Sequence, residues 1–278
     1  MKRNTLFLSG LLGLLAACSC ASDGPLPLTS TVEAPSGKFD PEHKLLDDLL
    51  VRFVHPEGVD YQGLAKESDQ LETYLASLSA VPLETFVEWS RDERFAFWAN
   101  AYNAYILRLI LDNYPVDSIR DLGGKLFGRV WDHQLIPLGH LAPELDHALL
   151  SFNDIEHGIL RPQFQDARVH AAVNCASTSC PPLGIHAFVG ARLETQLEAA
   201  MTGFVGDETR NHLDRKAGSL AVSSIFDWFI EDFERDAGSV RAYLRRYAGE
   251  AGGEWMESAK LSYLDYSWAL NDASAGTQ

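Results

Sequence analysis

The clearest helical pattern in the sequence runs from Asp92 to Asn113 and constrains the fold more than any other feature. Apolar side chains recur every three or four residues along it, and this spacing places them on one face of an α-helix. Pro115 follows, and a proline cannot continue a helix. The predicted stripe consists of Phe95, Trp98, Tyr102, Tyr105, Ile106, Leu109 and Ile110.

The remaining elements are predicted to be mostly helical. Helical spacing of apolar residues recurs at 41–55, 67–79, 192–204, 223–235 and 239–247. Short strands are predicted at 129–138, 168–174 and 261–266. This pattern favours an α+β fold, a mostly helical single domain with a small mixed or antiparallel sheet.

The N-terminus predicts export. Lys2 and Arg3 precede an apolar run that is too short to span a bilayer, which is typical of a secretory signal. Leu15-Ala-Ala-Cys18 resembles the bacterial lipoprotein signal, in which the cysteine is acylated and becomes the first residue. The alternative is an ordinary signal peptide with an incidental cysteine.

We therefore expect a signal peptide at residues 1–17, a flexible Ser/Thr/Pro/Gly-rich linker at 18–38 and one globular domain at 39–272. Lipid on Cys18 would anchor the protein to the membrane of the cell envelope. Ser19, and not an aspartate, follows this cysteine. In a host that has an outer membrane, this favours anchoring there, with the domain facing the periplasm.

The chain is acidic, with a formal net charge of −16 that becomes −18 without Lys2 and Arg3. Nucleic acids and anionic lipid surfaces attract basic patches, so this charge argues against both as partners. The expected partners are the membrane, through the lipid on Cys18, and an unidentified small molecule or peptide.

Residues 151–182 concentrate the groups that could carry chemistry. Ser151-x-x-Asp154 resembles the capping box of a short helix that would end near Arg161. Asp154, His157 and Arg161 are three and four residues apart, so they share a helical face on which Asp154 could orient His157. A solvated polar face with a local ion pair is the alternative.

Glu156 lies about 100° around the helix from His157, so a direct contact between these sequence neighbours is not expected. His170 falls on the predicted buried strand at 168–174. It is either a site residue or a buried histidine that hydrogen bonds hold in place.

Cys175 and Cys180 are five residues apart, and three interpretations stay open. In an oxidising compartment they could form a disulfide. One thiol could instead be a nucleophile activated by His157 or His170. The pair could also join histidines around a metal, but the spacing is at the edge of common zinc motifs and no second compact pair follows. We assign no metal or cofactor.

Asn100, Asn103 and Trp98 lie on the helix predicted from Asp92 to Asn113. Buried amides need partners, so we expect the asparagines to join this helix to a loop, with pocket lining as the alternative. Asp227 and Asp232 are predicted to lie on a solvated face. The sequence has no glycine-rich phosphate loop, Gly-x-Ser-x-Gly elbow or His-Glu-x-x-His helix, which excludes the best-known nucleotide, serine hydrolase and metalloprotease motifs.

Successive motifs over roughly residues 90–271 resemble those of the domain of unknown function 547 family. They occur in order, and their combination is more specific than any one of them. They are Phe97-Trp-Ala-Asn-Ala-Tyr-Asn103, Tyr114-Pro-Val-Asp-Ser-Ile-Arg120, Asp154-Ile-Glu-His-Gly-Ile-Leu-Arg161, Val169-His-Ala-Ala-Val-Asn-Cys175, Ser179-Cys-Pro-Pro182, Ser224-Ile-Phe-Asp-Trp-Phe-Ile-Glu-Asp-Phe233 and Tyr263-Leu-Asp-Tyr-Ser-Trp-Ala-Leu-Asn271.

The resemblance implies no settled reaction. It implies that the Glu-His helix, the His-to-Cys segment and the Ser-Cys-Pro-Pro loop are features of the family. The candidate site residues that the resemblance implies are therefore Glu156, His157, Arg161, His170, Cys175 and Cys180. The chain departs from the pattern at Ala99, where a larger aliphatic residue is expected, and at Ser267, where an aspartate is common.

The working hypothesis is an exported, lipid-anchored protein with a thiol–imidazole site that hydrolyses or transfers an acyl or amide group. Cys175 would be the nucleophile, His157 or His170 the base, and Glu156 or Asp154 the group that orients it. The alternative is a non-catalytic envelope scaffold or small-ligand-binding protein in which Cys175 and Cys180 form a disulfide.

Overall fold

The computed structural model describes residues 28–30, 32–36, 38–123 and 129–276. The predicted signal peptide and Cys18 lie outside these ranges. Leu28, in the predicted linker, is buried and its N–H donates to the carbonyl of Leu135. Within the described ranges, no helix is both long and apolar enough to cross a membrane.

The architecture is mostly helical with two small sheets, which confirms the predicted α+β class. The α-helices are α1 (Lys44–Phe53), α2 (Tyr61–Leu64), α3 (Ser68–Ser79), α4 (Leu83–Phe86), α5 (Arg91–Asn113), α6 (Arg161–Phe164), α7 (Val169–Ala172), α8 (Leu193–Gly206), α9 (Ile225–Trp228), α10 (Ile230–Ala237), α11 (Val240–Tyr247) and α12 (Trp255–Ser258). A π-helix, Asp154–Leu160, precedes α6.

Two strand groups accompany the helices. β1 (Val54–His55) and β2 (Gly58–Val59) form a short antiparallel hairpin. In the three-stranded sheet, β4 (Ser219–Ser223) pairs antiparallel with β3 (His212–Asp214) and parallel with β5 (Lys260–Leu264). The sheet is therefore mixed, and the strand predicted at 261–266 is confirmed as β5.

α5 is the central helix of the larger hydrophobic cluster. Ser90 and Glu93 form a capping box at its start, which satisfies backbone N–H groups that have no partner within the helix. Every residue from 95 to 107 is buried, so the helix is enclosed on all sides and not only along the predicted stripe. Small residues such as Ala99 let neighbouring elements pack closely against it.

Two of the predicted strands are wrong. Residues 129–138 contain a 3₁₀ turn, Val130–Asp132, and a single antiparallel bridge between Ile136 and Leu150. Pro137 follows that bridge and has no N–H with which to extend it. Within residues 168–174, Val169–Ala172 form the helical turn α7. The sequence did not reveal this, because a short buried apolar run fits a strand and a buried helix equally well.

The helix predicted at 223–235 is divided into α9 and α10 by the non-helical backbone of Phe229. A second hydrophobic cluster forms around α10, α11 and the three-stranded sheet. Val173 belongs to the first cluster and Ile225 to the second, and both line the same cavity. The cavity therefore lies where the two clusters meet.

Candidate functional site

This cavity of about 650 Å³ collects side chains from several separate elements. Its volume is in the range of ordinary small-molecule sites. Five of the predicted site residues line it: Glu156, His157, His170, Cys175 and Cys180.

The π-helix presents Glu156 and His157 to the cavity. Its wider turn is shown by the N–H of Arg161, which donates to the carbonyl of Glu156 five residues earlier. Such turns are rare and occur frequently at functional sites. The wider turn also changes the spacing on which the predicted shared face of Asp154, His157 and Arg161 depended.

The Asp154 carboxylate forms hydrogen bonds at the start of the π-helix. Its Oδ2 accepts a hydrogen bond from the Ser151 N–H at 2.8 Å and lies 3.2 Å from Nδ1 of His147. The Ser151 hydroxyl accepts from the Asp154 N–H, which confirms the predicted capping interaction. Among the residues that the structure describes, Asp154 hydrogen-bonds to Ser151 and His147 but not to His157.

His170 is held by Asp232. Its Nε2 lies 2.7 Å from Asp232 Oδ2, and its ring stacks on Phe229 with 3.9 Å between centroids. Burial lowers the pKa of His170 to about 4, although the Asp232 carboxylate acts in the opposite direction. The imidazole is therefore neutral at pH 7, with the Nε2–H donating to Asp232. This leaves Nδ1 as an acceptor, 3.9 Å from Oε1 of Glu156.

Asp232 is buried, so the predicted solvated face is wrong at this position. Arg161 Nε donates to its Oδ2 and Arg235 to its Oδ1, each at 2.7 Å. Burial alone would raise the pKa of Asp232, but hydrogen bonds from His170 and Arg161 outweigh it and hold that pKa well below its usual range. The carboxylate is therefore a permanent anion that fixes both groups.

His157 lies at the more exposed side of the cavity. Its Nδ1 accepts a hydrogen bond from Arg161 at 2.9 Å. Burial and the Arg161 charge both lower the pKa of His157. Among the described residues, neither His157 nor His170 hydrogen-bonds to a cysteine sulfur, so the predicted thiol–imidazole contact is not formed in this conformation.

The backbone around Cys175 is fixed by the C-terminal segment. Ala176 has a left-handed φ of 57°, and its N–H donates to Asn174 Oδ1. Ser177 forms an antiparallel bridge with Leu270. Positive φ at a residue other than glycine is uncommon and needs such support from its surroundings.

Cys175 and Cys180 are free thiols with their Sγ atoms 3.0 Å apart. A disulfide would require about 2.05 Å. The Cys175 sulfur also lies 3.2 Å from the Tyr266 hydroxyl and 3.0 Å from the Ser177 hydroxyl. The Cys175 N–H donates to the Cys180 sulfur, so the two residues are linked twice.

These contacts give the two thiols different acidities. The hydrogen bond with Cys180, supported by Ser177 and Tyr266, lowers the pKa of Cys175 to about 7 against the effect of burial. Burial and the neighbouring Cys175 raise the pKa of Cys180. Cys175 is therefore the thiol that ionises first, and the thiolate is the reactive form of cysteine.

Glu156 has an unusual acidity for a carboxyl group. Burial and the nearby Cys175 raise its pKa to about 7, with a partial offset from Arg161 and the Tyr102 hydroxyl. The Tyr102 hydroxyl lies 3.4 Å from Oε2. A thiolate at Cys175 therefore disfavours the carboxylate form of Glu156.

The two buried asparagines of α5 connect it to other segments. Asn103 donates to the Ala172 carbonyl and accepts from the Asn174 N–H, while Asn100 makes the same pair of bonds with the backbone of Phe188. Asn100, Asn103 and Trp98 are absent from the cavity lining. The predicted link between the helix and neighbouring segments is confirmed.

Sequence reasoning assigned no site role to Tyr102, Asp232 or Tyr266. Each lies far along the chain from the cysteines. The fold brings Tyr102 and Tyr266 to the cavity lining, and it places Asp232 behind the cavity, against His170 and Arg161. The motif containing Tyr266 was a signal, but nothing in its spacing pointed to a thiol. Within the described ranges, no group of three or more His, Cys, Asp and Glu side chains is arranged to hold a metal ion.

Comparison with known proteins gives one result. No curated protein and no solved structure matches the chain. Residues 86–205 match a family model, a shorter span than the resemblance seen in the sequence. The matched span contains Glu156, His157, Arg161, His170, Cys175 and Cys180, whereas Asp232 and Tyr266 follow it. The model that residues 86–205 match is that of the family described as "Protein of unknown function, DUF547".

Proposed function

We propose that the protein is a cysteine-dependent hydrolase or transferase acting on an acyl or amide group. The observation that carries the proposal is that Cys175 and Glu156 line one cavity. Their surroundings support it, because they lower the pKa of Cys175 and raise the pKa of Glu156. A nucleophile and a proton donor matched to neutral pH are what acyl transfer requires.

The reaction would proceed in two steps. The Cys175 thiolate attacks the carbonyl carbon, the bond to the leaving amine or alcohol breaks, and Glu156 gives its proton to that leaving group. A thioester remains on Cys175. Water or another acceptor then attacks the thioester while Glu156 takes a proton, and the thiolate departs. Glu156 acts first as acid and then as base.

His170 serves this scheme as a positioning residue. Asp232 holds its Nε2–H, so Nδ1 accepts and lies 3.9 Å from the Glu156 carboxyl. A small movement would allow the protonated carboxyl to donate to this nitrogen. The base that the sequence assigned to a histidine is assigned here to Glu156. The pKa values of His157 and His170 are lowered, and neither histidine hydrogen-bonds to Cys175 or Cys180.

An activated ester tests this proposal without knowledge of the natural substrate. With p-nitrophenyl acetate, the wild-type protein should release a burst of p-nitrophenolate and gain one acetyl group on the peptide containing Cys175. Glu156→Gln should keep a burst, since this leaving group needs no proton, but turn over about 10²–10⁴-fold more slowly. An unchanged burst in Cys175→Ala, or acetyl on another residue, would overturn the proposal.

We also propose that the protein is exported and anchored through lipid on Cys18. The support is the Leu15-Ala-Ala-Cys18 motif after a short apolar run. Expression with labelled palmitate should label the wild type and not Cys18→Ser, and the variant should leave the membrane fraction. Equal labelling of both chains would contradict the anchor.

A further inference from the structure

One wall of the cavity is aromatic. Trp131, Trp228, Tyr266 and Trp268 come from three separate segments of the chain and all line it. Between ring centroids, Tyr266 lies 4.6 Å from Trp268 and 4.8 Å from Trp228, and Trp131 lies 5.2 Å from Trp268. Indole rings are usually covered when they are not used for binding.

The wall begins at the proposed nucleophile. The Tyr266 hydroxyl is 3.2 Å from the Cys175 sulfur, and its ring contacts the indoles beyond. Trp228 keeps 48% of its surface exposed. A flat apolar group attached near the reacting carbonyl would therefore meet an open aromatic surface.

Cationic groups lie at the end of this wall. The Arg120 guanidinium stands 5.5 Å from the centre of the Trp268 ring, and Arg129 also lines the cavity. Arg129 has Asp132 at 3.9 Å, whereas Arg120 has no carboxylate in ion-pair distance among the described residues. In a chain of net charge −16, an unneutralised arginine at the cavity suits an anion.

We propose that the substrate carries an aromatic group and a carboxylate beside the reacting acyl or amide bond, and that Arg120 selects for the carboxylate. The aromatic group stacks on the Trp228–Tyr266–Trp268 wall, and Arg120 pairs with the carboxylate at its end. The inference rests on the proposed function, because it takes Cys175 as the attacking group.

Three alkylating reagents measure this selectivity at Cys175 directly. N-iodoacetyl-phenylalanine has the ring and the carboxylate, its carboxamide has only the ring, and N-iodoacetyl-alanine has only the carboxylate. The Cys175 sulfur displaces iodide from each, and peptide mass spectrometry follows the rate. Wild type should react fastest with the first reagent.

Two variants test which residue causes each part of the reagent preference, the carboxylate or the aromatic ring. Arg120→Gln should reduce the rate ratio of the acid to its carboxamide by about three- to tenfold, the size of a partly exposed charged contact. Trp228→Ala should reduce the ratio of the phenylalanine to the alanine reagent by about two- to tenfold. Arg215→Gln removes the same charge from an exposed position outside the cavity and should keep the wild-type ratios.

Equal rates for the acid and its carboxamide in wild type would overturn the inference, as would equal loss of the ratio in Arg120→Gln and Arg215→Gln. Plain iodoacetamide separates this failure from failure of the proposed function. If Cys175 resists even iodoacetamide, the proposed nucleophile and this inference fall together. If Cys175 reacts normally but without charge preference, only the inference falls.

Discussion

At the scale of single residues, the two cysteines differ because of what surrounds them. Cys175 receives contacts from Cys180, Ser177 and Tyr266 that stabilise its thiolate, while Cys180 is buried beside it. The spacing of the two cysteines does not distinguish them in the sequence. Their acidities depend on a tyrosine 91 residues away, which no local pattern reveals.

Cys180→Ala should raise the pKa of Cys175 toward the value of about 8.5 typical of free cysteine, because the Cys180 hydrogen bond is the largest influence lowering it. The pH dependence of iodoacetamide labelling at Cys175 measures this shift. Cys180→Ser is the matched control, since its hydroxyl can still donate and the shift should be smaller. An unchanged midpoint in the alanine variant would contradict the assigned cause.

At the scale of elements, periodicity predicted the long helices well. The pattern from Asp92 to Asn113 became α5, and the helices at 67–79 and 192–204 formed within a few residues of the predicted bounds. Predictions from short apolar runs were wrong, as at 168–174, because periodicity needs more residues than a single turn provides. The π-helix likewise has no signal in the sequence, although it sets the direction of Glu156.

The connection between α5 and the segment before Cys175 can be tested at Asn103, whose side chain forms hydrogen bonds with the backbone of that segment. Asn103→Ala would leave the Ala172 carbonyl and Asn174 N–H buried without that partner. We expect the free energy of unfolding to fall by about 2–4 kcal/mol, measured by urea denaturation.

Asn113→Ala is the matched control, because this asparagine lies on the same helix but is exposed. Its effect should stay within about 0.5 kcal/mol. Equal destabilisation by the two substitutions would show that α5, and not its connection to the Cys175 segment, accounts for the loss.

At the scale of the whole molecule, different buried ionisable groups make the free energy of unfolding depend on pH in opposite directions. Burial lowers the pKa of His43 and His170 from 6.5 to about 4. Between these values the unfolded chain binds protons that the folded chain does not, so stability falls as pH falls from 6.5 to 4. Glu156 acts the other way. Folding raises its pKa from 4.5 to about 7, so its contribution to the stability of the folded protein falls as pH rises through that window.

Glu156→Gln should therefore make the loss of stability on acidification from pH 7 to 4.5 steeper than in wild type. The full difference across the window is about 3 kcal/mol for a pKa change of this size. Urea denaturation at a series of pH values measures it, with Glu250→Gln as an exposed control. Parallel curves for Glu156→Gln and wild type would contradict the raised pKa.

The site as a whole was predicted in composition but not in geometry. The sequence singled out Glu156, His170 and Cys175, and the structure places all three at one cavity. It could not show that Asp232 would hold His170 or that Asp154 would bind the helix start instead of His157. Those contacts depend on how two hydrophobic clusters dock, which is a long-range property of packing.

The most direct test of the central claim is the rate of iodoacetamide alkylation of the native protein as a function of pH, with each modified cysteine identified by peptide mass spectrometry. The account predicts labelling of Cys175 with a midpoint near pH 7, while Cys180 reacts far more slowly. A Cys175 that is inert or oxidised, or that titrates only with an ordinary thiol midpoint while Cys180 reacts equally fast, would contradict it.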